Sequence, residues 1–193
     1  MTTIYFVRHA EADNDSYKQP AEKSTNEDKP LSNKGQNHCA LVTKFLKDKE
    51  IDVVLSSPYK RAVDTISGFA KVIGAEIELV ADFREREKGK GVKFTPGFTE
   101  KQWSDFSYKQ SNGESLAEVQ KRNIAALQKV LEQYKGKNLV IGTHGEALGT
   151  IINNFDKSFG FAQKNRILNP FVVKMIFDEK VFIEYEMIDL FHG

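Results

Sequence analysis

The chain has 193 residues, 40% of them hydrophobic, which suits one domain of ordinary size (1–193) with a real core. Lysine and arginine total 28 and the acids 27, so the net charge of +1 carries no electrostatic footprint for a nucleic acid or an anionic membrane. A single cysteine, Cys39, excludes an internal disulfide and supplies too few thiolates for a metal site; its amphipathic surroundings mark it as a buried structural thiol.

Residues 2–7 form a β-branched and aromatic run, read as a strand. This start lacks the basic region and long apolar run of a secretory signal, and no stretch nears the roughly 20 apolar residues of a bilayer span. A cytoplasmic protein is expected. Residues 11–29 are polar and aperiodic and read as a long loop. A helix over 35–49 follows, with Ser32 as its cap and Ala40, Leu41, Phe45 and Leu46 at helical spacing. A strand at 51–55 leads into a second helix, which Ser57 caps and Pro58 opens. That helix buries Ala62, Val63, Ile66, Phe69, Ala70 and Ile73, and Gly74 ends it.

A short strand at 77–80 precedes the least regular part, 82–113, where Arg84, Arg86, Lys88, Lys90 and Lys93 crowd near Trp103. Ser115 and Glu118 form a capping box for a helix that buries Leu116, Val119, Leu127, Val130 and Tyr134 and stops at Gly136. A strand at 138–142, a helix carrying Ala147, Leu148, Ile151, Ile152 and Phe155, and a hairpin of 171–177 with 181–187 complete the chain. The alternation predicts a three-layer α/β/α sandwich. Its central sheet is mostly parallel, with an antiparallel edge strand from the hairpin.

Ligands of open α/β sheets bind beyond the carboxyl ends of the strands. Arg8 and His9 follow the first strand, Arg61 lies in the first turn of the helix after the second, and Thr143-His144-Gly145 follows the strand at 138–142. A helix N-terminus favours acids, yet Lys60 and Arg61 occupy this one with no acid before Asp64. A bound dianion would compensate. Two imidazoles and two guanidiniums without partner acids call for an anion. The four histidines show no metal-type spacing, and neither a phosphate-binding Gly-rich Lys-Ser/Thr loop nor a Gly-x-Ser-x-Gly elbow is present.

Phe6-Val7-Arg8-His9-Ala10-Glu11, Pro30-Leu31-Ser32-Asn33-Lys34-Gly35 and the block from Leu55 to Thr65 resemble, in order, motifs of the histidine phosphatase superfamily, the phosphoglycerate mutase-like proteins. Phe83-Arg84-Glu85 with Gly89, Gly113-Glu114-Ser115 and Thr143-His144-Gly145 complete the likeness. The resemblance implies a phosphatase with His9 as nucleophile. It implies that Arg8, Arg61 and His144 hold the phosphoryl oxygens and that Glu85 protonates the leaving oxygen. Gly145 would offer backbone room or an amide near the phosphate, and Asn14 is the candidate for the family's asparagine after the opening motif. Neither a cofactor nor a metal is implied. The departures are Ala10 in place of glycine, a missing Trp-Glu-Gly after the acid, and the lysines around Gly91.

Glu85 must be protonated to act as an acid; Arg84 and Arg86 would oppose this if they faced it, and burial would favour it. The expected partner is a small phosphorylated substrate, with neither nucleic acid nor membrane; a homodimer is compatible with the chain. The alternatives are a phosphoglycerate mutase, a protein phosphohistidine phosphatase (against which Glu85 counts) and a non-catalytic module that binds phospholigands. The cations of 84–93, with Arg166, are candidates to meet a second anionic group on the substrate.

Overall fold

The computed structural model describes residues 1–13, 28–89 and 96–192. Asn14, Lys90, Gly91 and Lys93 lie outside them. β1 (Thr2–Arg8), α1 (Asn33–Leu46), β2 (Val53–Ser56), α2 (Lys60–Ile73) and β3 (Ile77–Leu79) come first, followed by a 3-10 turn at Ala81–Phe83. Then come α3 (Phe98–Ser104), α4 (Leu116–Gln133), β4 (Asn138–Thr143), α5 (Gly145–Phe155), α6 (Phe161–Lys164), β5 (Phe171–Asp178) and β6 (Val181–Ile188).

The strands form one six-stranded sheet in the order β3-β2-β4-β1-β5-β6. β3, β2, β4 and β1 pair in parallel, whereas β5 runs antiparallel to both β1 and the edge strand β6. The sheet is covered on both faces, and this is why its strands read as continuous apolar runs. Val7, Val54, Val140 and Val172 point to one core with Val42 and Leu46 of α1 and Ile66 and Phe69 of α2. Their neighbours Phe6, Leu55, Ile141 and Val173 point the other way, onto Leu127 and Val130 of α4 and Leu148, Ile151 and Ile152 of α5. The sandwich therefore has the expected three layers.

Several local readings need correction. α2 begins at Lys60 with Tyr59 as its cap residue and no side-chain cap; the Ser57 hydroxyl accepts from the Tyr59 amide at 3.3 Å and meets His144 at 2.8 Å. Within 82–113 the structure holds a real helix, α3, which buries Phe98, Gln102 and Trp103. Cys39 is half-buried, and its thiol donates to the Gly35 carbonyl at 3.3 Å. α1 stops at Leu46 and buries Val42 beside it, leaving Ala40 exposed. The other two expected caps hold: Ser32 accepts from the Gly35 amide, and Ser115 and Glu118 close a full capping box.

Candidate active site

The register sets the site. Arg8 of β1 lies opposite Thr143 of β4, and Ser56 of β2 lies opposite Gly142. One residue beyond, His9, Ser57 and His144 leave the sheet together at the carboxyl ends of three neighbouring strands. The His9 and His144 rings stand 5.2 Å apart between centroids.

Four separate segments hold the His9 turn. The His9 amide donates to the Thr143 carbonyl at 3.0 Å, and the Asn169 side-chain amide donates to the His9 carbonyl at 2.9 Å. The Ala10 amide donates to Thr65 Oγ1 at 2.9 Å, and that hydroxyl donates to the Arg61 carbonyl at 2.7 Å. Ala10 itself is fully buried and does not adopt positive φ, so its methyl is accommodated where glycine was expected.

His9 Nδ1 lies 2.6 Å from the Ala10 carbonyl. A carbonyl only accepts, so Nδ1 carries the proton and Nε2 keeps its lone pair. Arg61 Nε donates to Nε2 at 3.2 Å. Burial, then the Arg61 charge, opposed by the Ala10 carbonyl, hold the imidazole down to about 3, with Arg8 adding to the effect. His144 is fully buried, and its Nε2 meets the Ser57 hydroxyl; burial and the facing His9 keep it well below an ordinary histidine. Its Nδ1 and the Nε of Arg8 are buried without a hydrogen-bond partner among the described residues. Such orphaned groups are expensive unless a ligand satisfies them.

Arg61 is 4% exposed, in an α2 first turn that contains no acid. Arg8 donates to the Ile167 carbonyl and packs on Gly145, where an added Cβ would lie 3.1 Å from the guanidinium carbon. Gly145 thus leaves room for the Arg8 side chain. The expectation that the cations lack acids is corrected, because Glu85 and Glu146 both face Arg8.

Glu85 sits below the N-terminus of α5. Its carboxylate accepts from the amides of Arg86 at 2.8 Å and of Glu146 and Ala147 at 3.2 Å each. Burial acts to raise its pKa. The Arg86 amide and charge, the Glu146 amide and the Arg61 charge outweigh burial and hold the carboxyl below its ordinary value. Burial does favour the protonated acid, as expected, but these groups outweigh it. Arg84 points away, to Glu114 and Asp82.

Sequence reasoning missed four supports. Ser57 orients His144, and Asn169 holds His9. Arg122 binds Glu114 and the carbonyls of Asp82, Arg84 and Glu85, fixing the segment that carries the acid. Glu146 accepts from Trp103 and Lys164 at 2.7 Å each, tying α3 and α6 to α5. Arg122 had a signal, since it falls on the apolar face of α4 between Val119 and Ala126.

Arg8, His9, Arg61, Glu85, Glu146 and Asn169 line a cavity of about 340 Å³. A second, of about 670 Å³, shares Arg8, Glu11 and Asn169 with it. Arg166 is exposed and lines neither. Among the described residues no cluster of histidine, cysteine and acids fits a metal ion, and no helix is long and apolar enough to cross a membrane.

A mostly parallel sheet whose carboxyl edge presents a neutral imidazole between guanidiniums defines an α/β protein suited to an anionic electrophile. Residues 4–183 match the histidine phosphatase superfamily (branch 1), and the chain belongs to that family. It is 28% identical over 180 residues to "Uncharacterized phosphatase PhoE" of Bacillus subtilis, covering 93% of this chain and 91% of that one. It is 29% identical over 166 residues to "Probable phosphoglycerate mutase GpmB" of Yersinia enterocolitica, covering 79% and 74%. Among solved structures, phosphoserine phosphatase of Entamoeba histolytica, as a mutant in complex with phosphoserine, superposes with a TM-score of 0.80 at 22% identity over 100% and 99% of the chains. Bacillus stearothermophilus YhfR gives 0.76 at 23% identity over 95% of each. At these identities the two structures speak for the fold alone.

Proposed function

We propose that the protein hydrolyses small phosphomonoesters through a phosphohistidine on His9, without a metal. The observation that carries this reading is the fixed tautomer of His9, whose unprotonated Nε2 meets Arg61 in the cavity. The family and the likeness to a phosphatase over nearly the whole chain support it.

Phosphoryl transfer depends on positioning and charge neutralisation. Arg61 turns from Nε2 to the equatorial oxygens as the ester binds. Arg8 Nε and His144 Nδ1 supply the remaining donors, preorganised by Gly145 and Ser57. Nε2 attacks phosphorus as the bond to the leaving oxygen breaks, and Glu85 gives that oxygen its proton. Water then attacks the phosphohistidine, the Glu85 carboxylate takes a proton from it, and the P–N bond breaks to return a neutral His9. Because Glu85 is held ionised before substrate binds, the proton must reach it once the dianion offsets the field of Arg61 and Arg86.

The test is a panel of phosphomonoesters assayed with a chelator present. His9→Ala is expected to abolish turnover, and near wild-type turnover in that variant would overturn the mechanism. Glu85→Gln should slow alkyl phosphates at least roughly tenfold more than p-nitrophenyl phosphate, whose phenolate needs little protonation. Equal losses on both would remove Glu85 as the acid. The likeness to GpmB favours a second reading, a phosphoglycerate mutase, which would depend on a bisphosphoglycerate primer.

A further inference from the structure

Tyr59 joins β2 to α2 and stands behind the site rather than in it. It is fully buried and lines neither cavity. Its ring nevertheless touches two of the groups that face the phosphoryl position. It meets the His144 ring edge to face, with centroids 5.1 Å apart, and the Arg61 guanidinium carbon lies 5.0 Å from its centre. Both contacts are of kinds that fix orientation as well as fill space.

The hydroxyl of the same residue reaches the segment that carries the acid. Tyr59 Oη donates to Glu87 Oε1 at 2.6 Å. Glu87 is two residues from Glu85, and its backbone is pinned on both sides to Glu114. The Glu87 amide donates to Glu114 Oε2 at 2.9 Å, and the Glu114 amide donates to the Glu87 carbonyl at 2.7 Å. One side chain thus bridges the helix that holds Arg61 and the segment that holds Glu85. Packing alone does not call for this hydroxyl, because phenylalanine would fill the same space without burying a polar group. A hydroxyl bonded to a carboxylate is a strong, directional tie.

We propose that Tyr59 is a positioning residue that sets the acid against the phosphate-holding groups. Its hydroxyl, through Glu87, holds Glu85 in register with the leaving oxygen, and its ring aligns Arg61 and His144. This rests on the phosphatase reading for turnover, though not for the contacts themselves.

Tyr59→Phe keeps the ring and loses the bond to Glu87. It should lower kcat on glycerol 3-phosphate roughly tenfold, the worth of one charge-assisted hydrogen bond. On p-nitrophenyl phosphate, whose leaving group needs little protonation, it should stay within about twofold of wild type. Glu87→Ala should do the same, and the double variant should lose no more than either single one, as residues acting as a unit do. Tyr59→Leu also removes the ring and should lower kcat/KM on both esters by about tenfold. Equal slowing of both esters in Tyr59→Phe, or none, overturns the role of the hydroxyl, and additive losses in the double variant overturn the link through Glu87. Unchanged kcat/KM in Tyr59→Leu overturns the role of the ring. Should wild type turn over neither ester, the phosphatase reading falls. The amides of Glu146 and Ala147, which donate to Glu85 at 3.2 Å each, then decide the positioning role. Their hydrogen exchange should speed roughly tenfold in Tyr59→Phe as Glu85 loosens, and unchanged exchange overturns the proposal.

Discussion

At the scale of single residues, the site is built from side chains whose protonation is decided by neighbours. His9 and His144 are both held below the 6.5 of a free imidazole. Below that pH the unfolded chain takes up protons that the native chain refuses. Stability from this source is full above about 6.5 and declines as pH falls, for His9 over the window down to about 3. The depressed Glu85 acts in the same direction at lower pH. The urea midpoint should therefore drop between pH 7 and pH 5, and His9→Gln should remove part of that drop; an equal drop in the variant would exclude His9 as a source. Gly145→Ala is expected to lower kcat/KM about tenfold with little change in melting temperature, because the new Cβ, 3.1 Å from the Arg8 guanidinium, must push it aside. Arg8, His9, Arg61 and His144 were legible because each follows a strand or opens a helix in a motif of fixed order. Ser57 was read as a helix cap, since nothing in one dimension tells a capping serine from one that turns toward a histidine far along the chain. Asn169 had no local signal at all.

At the scale of elements, close approach matters more than propensity. α1 packs its first turn so tightly on the chain leaving β1 that a Cβ on Gly35 would lie 2.1 Å from the Glu11 carbonyl oxygen. Gly35→Ala should therefore cost about 1–3 kcal/mol, as overpacked substitutions do, and chemical denaturation will measure it. It should also lower activity, since Glu11 is two residues from His9. α1 and α4, with side-chain caps, and α2, with its apolar stripe ending at Gly74, were readable from spacing. α3 was not. It is seven residues long, follows Gly97 at positive φ, and has no side-chain cap, so Glu100 in its first turn is a weak start signal by itself. Its burial comes from Trp103 meeting Glu146, a contact between segments distant in sequence.

At the scale of the molecule, the sandwich class followed from the alternation of strands and helices, but the strand order did not, because pairing between distant strands leaves no local trace. The site draws on β1, β2, α2, β4, α5 and the segment before β5, so a bound anion should stabilise the whole fold at once. Inorganic phosphate at about 100 times its dissociation constant should add about 2.7 kcal/mol. Arg61→Ala should lose most of that gain, and a gain retained there would place the anion elsewhere.

The central position of β1 has a consequence in time. Its partners β4 and β5 come from the far end of the chain, and contacts of such separation form late and slowly. His9 belongs to the first strand in sequence, yet the groups that neutralise it, orient it and hold its turn arrive only when the sheet closes around it. A chain in which β4 and β5 have not yet paired with β1 would therefore carry an ordinary, protonatable imidazole at His9, and the neutral one depends on those strands being in place.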